Sequence, residues 1–443
     1  MPARLLSPRC LALGVAALFA VVVSPLTAGD WPQWRGPDRD GFAADDESLG
    51  PAWGDDGPEE LWSLEGMGKG FASVAVVGDR LYTTGNFDDG QRVVAVDLPA
   101  GGGQPSIAWS KTFTEGVPKH GYDGSRSTPT VVGDKLYVTG SNGSIACLST
   151  DGEVLWSKDF AAEYGSGSQS WGYAESPLVD GDRVIFTPGS ESALMVCCDR
   201  NTGREIWKTP YPPQLTGGKR EAGYSSAVIS EGGNVRHYVQ MTGGGPIGLR
   251  ASDGKILWGS DAAANGTAVI PTPLVGGKGG DWVFVSSGYG AGAACFELTP
   301  AGRNELKVRT VYELDGRDFQ NHHGQMILAD GYVYAGAGHG GRANSPVCLK
   351  LETGEIVWGG EKDKLTGPGK GSIAAIAVGD ELLFRYQSGE ISRLALTTEG
   401  YRPTGQFTPR VNENDPSWAH PAVAGGVLFV REQDTLLAYR AGE

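Results

Sequence analysis

Short runs in this sequence join aromatic rings to charged or hydrogen-bonding side chains. They are Tyr122-Asp123-Gly124-Ser125-Arg126, Trp171-Gly172-Tyr173-Ala174-Glu175, Tyr224-Ser225, Asn321-His322-His323, Lys370-Gly371-Ser372 and Trp418-Ala419-His420. Brought together, Arg126, Glu175, His322 and His420 would form a mixed-charge, hydrogen-bonding pocket. Trp171, Tyr173 and Trp418 would be its aromatic walls, with Tyr224 and Asn321 completing the candidate set. A sugar, a planar cofactor or a peptide end suits that chemistry. The same runs have a plainer use, which is to cap strands and satisfy buried backbone groups at tight turns.

Other reactive residue types lack the spacing that chemistry needs. The six histidines are His120, His237, His322, His323, His339 and His420, and none has a second ligand at HxxxH or CxxC spacing, so no metal site is expected. No Gly-x-Ser-x-Gly stands between a strand and a helix, and catalytic residues stay unassigned. Gly243-Gly244-Gly245 and Gly338-His339-Gly340-Gly341 precede no helix, which makes them poor phosphate cradles. Beyond Cys10 the cysteines are Cys147, Cys197, Cys198, Cys295 and Cys348, an odd and scattered set that is no disulfide framework.

What must position the aromatic runs is a repeat. Ser127-Thr128-Pro129-Thr130-Val131-Val132-Gly133-Asp134-Lys135-Leu136-Tyr137-Val138 reads as strand, Gly-Asp turn, strand, and continues through Cys147-Leu148 and Gly152 to Trp156. Related units close on Trp62, Trp109, Trp156, Trp207, Trp258, Tyr312, Trp358 and Phe407, at separations of 47, 47, 51, 51, 54, 46 and 49 residues. That period, with apolar and polar residues alternating, is the signature of a β-propeller and not of a helical solenoid. The expected fold is all-β: an eight-bladed β-propeller of four-stranded antiparallel blades. The final unit, His420 to Tyr439, lacks a fourth strand, whereas Leu61-Trp62-Ser63-Leu64 has no strands before it. Residues 59–64 are therefore expected to close the last blade, which removes exposed sheet edges.

In this arrangement each aromatic run leads into an innermost strand, so the runs ring one mouth of the central channel, where propeller loops converge. His322 and His420 stand where other units have Ser or Thr, so an inner-strand hydrogen-bonding role is their alternative. Cys147 and Cys348 share closely matching repeat positions with Cys197-Cys198, and adjacent strand residues face opposite ways. All are read as packing residues.

Composition agrees with this reading. Of 443 residues, 69 are Gly and 26 Pro, the turn chemistry of many short strands. The net charge of −15, without a Lys/Arg run, excludes nucleic acid and anionic membrane as expected partners. Arg4, Arg9, the 13-residue apolar run Leu11 to Val23, and Thr27-Ala28-Gly29 have the layout of a secretory signal. Three parts are expected: a signal peptide over 1–29, an irregular segment over 30–56 packing across the ring as a plug or clasp, and the propeller over 57–443. The protein is expected to be an exported monomer, periplasmic or extracellular and soluble, with no transmembrane segment after cleavage.

The repeat residues resemble the PQQ-enzyme repeat of quinoprotein alcohol dehydrogenases and of the propeller in the outer-membrane barrel assembly machinery. The opening Trp31-Pro32-Gln33-Trp34-Arg35-Gly36-Pro37 looks like the start of a secreted bacterial group of PQQ-like repeat proteins, WPQWRGP. Trp171 to Pro177, Val269 to Pro273, Ser286 to Gly290, Asn321 to Gly324 and Trp418 to Pro421 are also similar to that group. The resemblance implies the fold but no settled activity. The leading expectation is a binding or scaffolding module acting through its central funnel on a small molecule or an exported protein, with no cofactor. One alternative is an oxidoreductase dependent on PQQ and calcium, with Glu175, Asn321 and Asp123 as the available oxygen donors. The resemblance to that class would place a vicinal disulfide above the quinone, against which the strand position of Cys197-Cys198 argues. The second alternative is an outer-membrane protein assembly factor.

Overall fold

A run of alternating residues ending in Gly-Asp recurs because it builds a hairpin. In Thr130–Val132 and Lys135–Gly140 the side chains of Val131, Leu136, Tyr137 and Val138 are buried, and Gly133 between the strands takes a φ of 63°. A two-residue hairpin needs that left-handed angle, and glycine reaches it without strain. Each unit adds a third strand such as Ser144–Ser149 and an outermost strand such as Val154–Asp159.

The computed structural model describes residues 29–442 apart from 55, 100–102, 341–343 and 413. Of the expected leader, residues 1–29, all but Gly29 lie outside the described residues. The strands form eight four-stranded antiparallel sheets, an eight-bladed β-propeller. Blades 1 to 7 begin at the inner strands Ala75–Val77, Thr130–Val132, Leu178–Asp180, Val228–Ser230, Leu274–Gly276, Met326–Ala329 and Ile373–Val378. Blade 8 contains Ala422–Ala424, Val427–Glu432 and Thr435–Arg440, and its outer strand is Glu60–Glu65, in register Ser63 with Leu437 and Leu64 with Leu436. The ring is thus shut by the N-terminal strand. Blade 5 has an outer hairpin of 11 and 10 residues, Gly292–Gly302 and Glu305–Leu314, which explains the long spacing from Trp258 to Tyr312.

The repeated tryptophan and glycine act as a pair across the blade boundary. Trp109 Nε1 donates to Thr150 O in the next blade, Trp156 to Arg200 O and Trp207 to Ala251 O. Gly152 lies under the Trp109 ring, where an added Cβ would come within 2.9 Å of Cδ2; Gly203 lies likewise under Trp156 and Gly254 under Trp207. The glycine leaves room for the preceding blade's indole.

Buried arginines tie blade 7 to blade 8 and blade 8 to blade 1. Arg385 of blade 7 pairs with Glu432 of blade 8, their side chains 0% and 5% exposed. Arg431 of blade 8 donates to the carbonyls of Thr84 and Gly68 and to Thr83 Oγ1 in and beside blade 1. Burying a guanidinium costs free energy unless its donors are matched, so carbonyl-lined seats of this kind fix register.

Residues 29–50 run along the ring's other face. Trp31 exchanges backbone hydrogen bonds with Val76 in blade 1, Ala43 N bonds Ala377 O in blade 7, and Glu47 accepts from Gly425 and Gly426 in blade 8. Between these anchors the chain enters the channel. Arg39 donates to Ser176 O, Pro177 O and Ala227 O, and Arg35 to Met326 O, so two guanidinium groups bind carbonyls of blades 3, 4 and 6.

Candidate functional site

The lead-in residues first have a structural task. Ser73 N bonds Thr128 Oγ1, Thr128 N bonds Ser176 Oγ, and Ser176 N bonds Ser226 Oγ, passing a belt of hydrogen bonds from blade to blade. Thr272 N continues it with Gln325 Oε1. This belt accounts for the Ser-Pro and Thr-Pro repeats, because each hydroxyl satisfies a backbone N–H of its neighbour.

Above the belt the mouth holds a cavity of about 340 Å3. Arg126, Trp171, Tyr224, His322, Trp418 and His420 line it, six of the nine candidate residues. The other three stand behind its wall. Tyr173 is core, its hydroxyl donating to Gly167 O and Pro188 O at 3.0 Å each. Glu175 is 4% exposed and accepts from Thr187 N, Thr187 Oγ1 and Gln240 Nε2 at 2.7, 2.9 and 3.2 Å. Asn321 donates to Gly336 O and accepts from Gln325 N, shaping the turn before blade 6. With Glu175 withdrawn, the expected mixed-charge pocket has no carboxylate among its lining residues.

Trp34, Tyr289, His323 and His339 also line the cavity. Trp34 rises from the plug to form the floor, its Nε1 donating to Thr272 Oγ1 at 3.1 Å. No repeat signal reveals it, although it lies in the conspicuous WPQWRGP run. Tyr122 and Tyr289 stand at the rim with φ of 51° and 59°, and are 57% and 39% exposed. Left-handed backbone at bulky residues is costly and concentrates at functional sites. Here it holds two rings over the opening: Tyr122 against Trp418 at 4.9 Å and Tyr289 against His322 at 4.9 Å.

Among the described lining residues, the cavity's charge resides on Arg126. Burial lowers its pKa to about 10, so it stays protonated at neutral pH. Its bonds go to Gly124 O, Gly121 O, Tyr122 O and His120, and none goes to a carboxylate. The histidines are neutral. Burial, then His339, lowers His322 to about 3; burial, then Arg35, does the same to His420. His322 Nε2, His420 Nδ1 and Trp418 Nε1 are buried without a hydrogen-bond partner. Each is an unsatisfied polar atom buried in a residue of the cavity wall.

The residues present do not suit calcium, which takes several oxygen ligands. Glu175 is engaged by Thr187 and Gln240, Asn321 by its own turn, and Asp123 is exposed on the loop. Among the described residues no group of three or more His, Cys, Asp or Glu is placed to hold a metal ion. Cys197 and Cys198 are free, buried thiols far from this chemistry in role: one packs with Trp207, the other with Tyr164. The strand irregularity between them recurs at Cys147/Leu148 and Cys348/Leu349, so it belongs to the blade pattern.

This combination of ring and mouth defines a propeller of the PQQ-like type. Residues 52–159 and 89–360 match the family described as outer membrane protein assembly factor BamB, and the chain belongs to that family. A curated relative, outer membrane protein assembly factor BamB of Alteromonas naphthalenivorans, is 27% identical over 280 residues, 57% of this chain. The match spans 59% of that relative's length. Among solved structures, BamB from Moraxella catarrhalis superposes with a TM-score of 0.56 at 14% identity, covering 86% of this chain and 99% of that one. The quinohemoprotein alcohol dehydrogenase from Comamonas testosteroni gives 0.58 at 12% identity, covering 94% and 81%. At these identities the solved structures speak for the fold. No helix among the described residues is long and apolar enough to cross a membrane.

Proposed function

We propose that this chain is an exported, monomeric binding module, periplasmic or extracellular, that holds a ligand in the mouth cavity. The supporting observation is a walled and floored cavity in which burial holds His322 and His420 near pKa 3. A general base works best with a pKa near the operating pH, so these imidazoles are better hydrogen-bonding partners than proton carriers. The thiols are buried elsewhere. Arg126, Trp171, Tyr224, His322, Trp418 and His420 are the contact residues of this reading, with Trp34 beneath them. The test is a ligand-observed fragment screen on the full chain and on Ala174→Trp, which fills the cavity from its wall. Fragments that bind the parent and are lost in the variant support the reading. A screen with no such fragment ends it.

A second reading, a factor in outer-membrane protein assembly, is favoured by the family match and by the relative from Alteromonas naphthalenivorans. Affinity capture from an outer-membrane fraction decides it. Recovery of barrel-assembly proteins supports this role, and a wholly soluble pool without them counts against it.

A further inference from the structure

We infer that the ligand class of the mouth cavity is an acidic sugar, a pyranose ring bearing a carboxylate, recognised by Arg126 and stacked on the aromatic wall. This deepens the mouth-binding reading and rests on it. The inference begins with a sign. The lining residues include a guanidinium but no Asp or Glu, and the acidic group whose field reaches Arg126, Asp123, is exposed outside. The guanidinium is anchored entirely by carbonyl oxygens and one imidazole, and no carboxylate bonds to it. Charge in such a place favours an anion; with both terminal nitrogens of Arg126 bonded to its own loop, the attraction is by sign and not by a two-pronged hydrogen bond.

The wall decides what carries the anion. Trp418 is met by three rings, Phe71 at 5.2 Å, Tyr122 at 4.9 Å and His323 at 4.1 Å, tilted or edge-on to it. Trp171 meets Tyr224 edge-on at 5.7 Å. These rings form a curved mosaic with single faces, not a flat slot between two parallel planes. One ring face can take the C–H groups of a saturated ring. The polar complement is rich for so small a cavity. His322 Nε2, His420 Nδ1 and Trp418 Nε1 have no partner, and the side chains of Gln325, Gln387 and Ser226 also line it. Neutral imidazoles, amides and hydroxyls offer donors and acceptors in the alternation that adjacent sugar hydroxyls require. A flat aromatic acid would leave most of them unsatisfied.

The experiment is calorimetric titration of the full chain, in low salt, with D-glucuronate and D-galacturonate against D-glucose and D-galactose. A trigalacturonate arm separates a free monosaccharide from a chain end. At least one uronate is expected to bind about tenfold tighter than its neutral partner, the factor roughly 1.4 kcal/mol supplies. The preference should shrink with added sodium chloride. Arg126→Met removes it and Arg126→Lys keeps part of it, while the weak neutral-sugar affinity persists in both. Because Arg126 also braces its loop, the salt dependence of the parent stands as an independent measure. Equal binding of acid and neutral sugars overturns the inference, as does an undiminished preference in Arg126→Met. If no sugar binds but Ala174→Trp still abolishes fragment binding, the sugar assignment fails and the mouth-binding reading stands. If PQQ alone binds, the flat-ligand alternative replaces it.

Discussion

The indole of Trp34, carried by the N-terminal segment, meets the imidazole of His420 in the last blade at 4.8 Å between ring centres, nearly edge-on. The contact joins the plug to the wall of the mouth, so the cavity's floor and sides are one packed unit.

Trp34→Ala removes that floor. Loss of a large, partly buried indole and of its bond to Thr272 is expected to cost about 2–4 kcal/mol. Chemical denaturation measures the cost, and fragment binding at the mouth should disappear with it. Full retention of both would show that the plug contributes nothing to the site.

Glu175 gives a pH signature. Burial raises its pKa from 4.5 to about 8, against the bonds from Thr187 and the field of Arg39. In the unfolded chain the carboxyl ionises near its ordinary value, so between pH 4.5 and 8 the folded state holds the extra proton. Its contribution is therefore fully present below about pH 4.5 and is lost as pH rises toward 8, at roughly 1 kcal/mol per pH unit or less. Glu175→Gln keeps a neutral group there at every pH. The parent-minus-variant stability difference, followed by urea denaturation from pH 5 to 8, should fall as pH rises. A flat difference refutes the assignment.

Glycines of the blade repeat are not equivalent. At Gly133 an added methyl meets nothing within 4 Å, so Gly133→Ala bears only the left-handed backbone, about 1 kcal/mol. At Gly152 the methyl also strikes the Trp109 ring, so Gly152→Ala should lose about 2–3 kcal/mol. Melting both variants ranks them. Equal losses would mean that the indole moves aside freely.

Cys197 and Cys198 should resist thiol reagents in the native protein. Burial pushes both pKa values up to about 12, which removes the reactive thiolate at neutral pH. Ellman's reagent is expected to titrate them only after denaturation, and without prior reduction. A requirement for reductant would reveal a vicinal disulfide.

The fold was legible because its signals are local and repeated: the Gly-Asp turns, the spacing of tryptophans, and an orphan strand at Leu61 to Leu64 matched by a blade one strand short. The mouth was only partly legible. Position relative to an inner strand located Arg126, Trp171 and Trp418, but it cannot say which way a side chain turns. Glu175 sits one residue before Ser176 and turns back to Thr187, while Ala174 faces the cavity. Trp34 was hidden because its contacts, Thr272 and His420, are hundreds of residues away. Tyr289 and His339 sit in glycine-bearing turns that read as flexible, and their tilted ring contact at 4.1 Å is a tertiary fact.

The pairing of Ser63 with Leu437 spans 374 positions (437 − 63), nearly the whole chain. A contact of such range forms late, because the intervening polymer must first be ordered. Trp34 and His420 face the same delay. Synthesis from the N-terminus therefore leaves the earliest residues waiting for the last ones, with unpaired strand edges exposed meanwhile. If the mouth binds a ligand as proposed, that capacity is withheld from every partial product until the ring has closed.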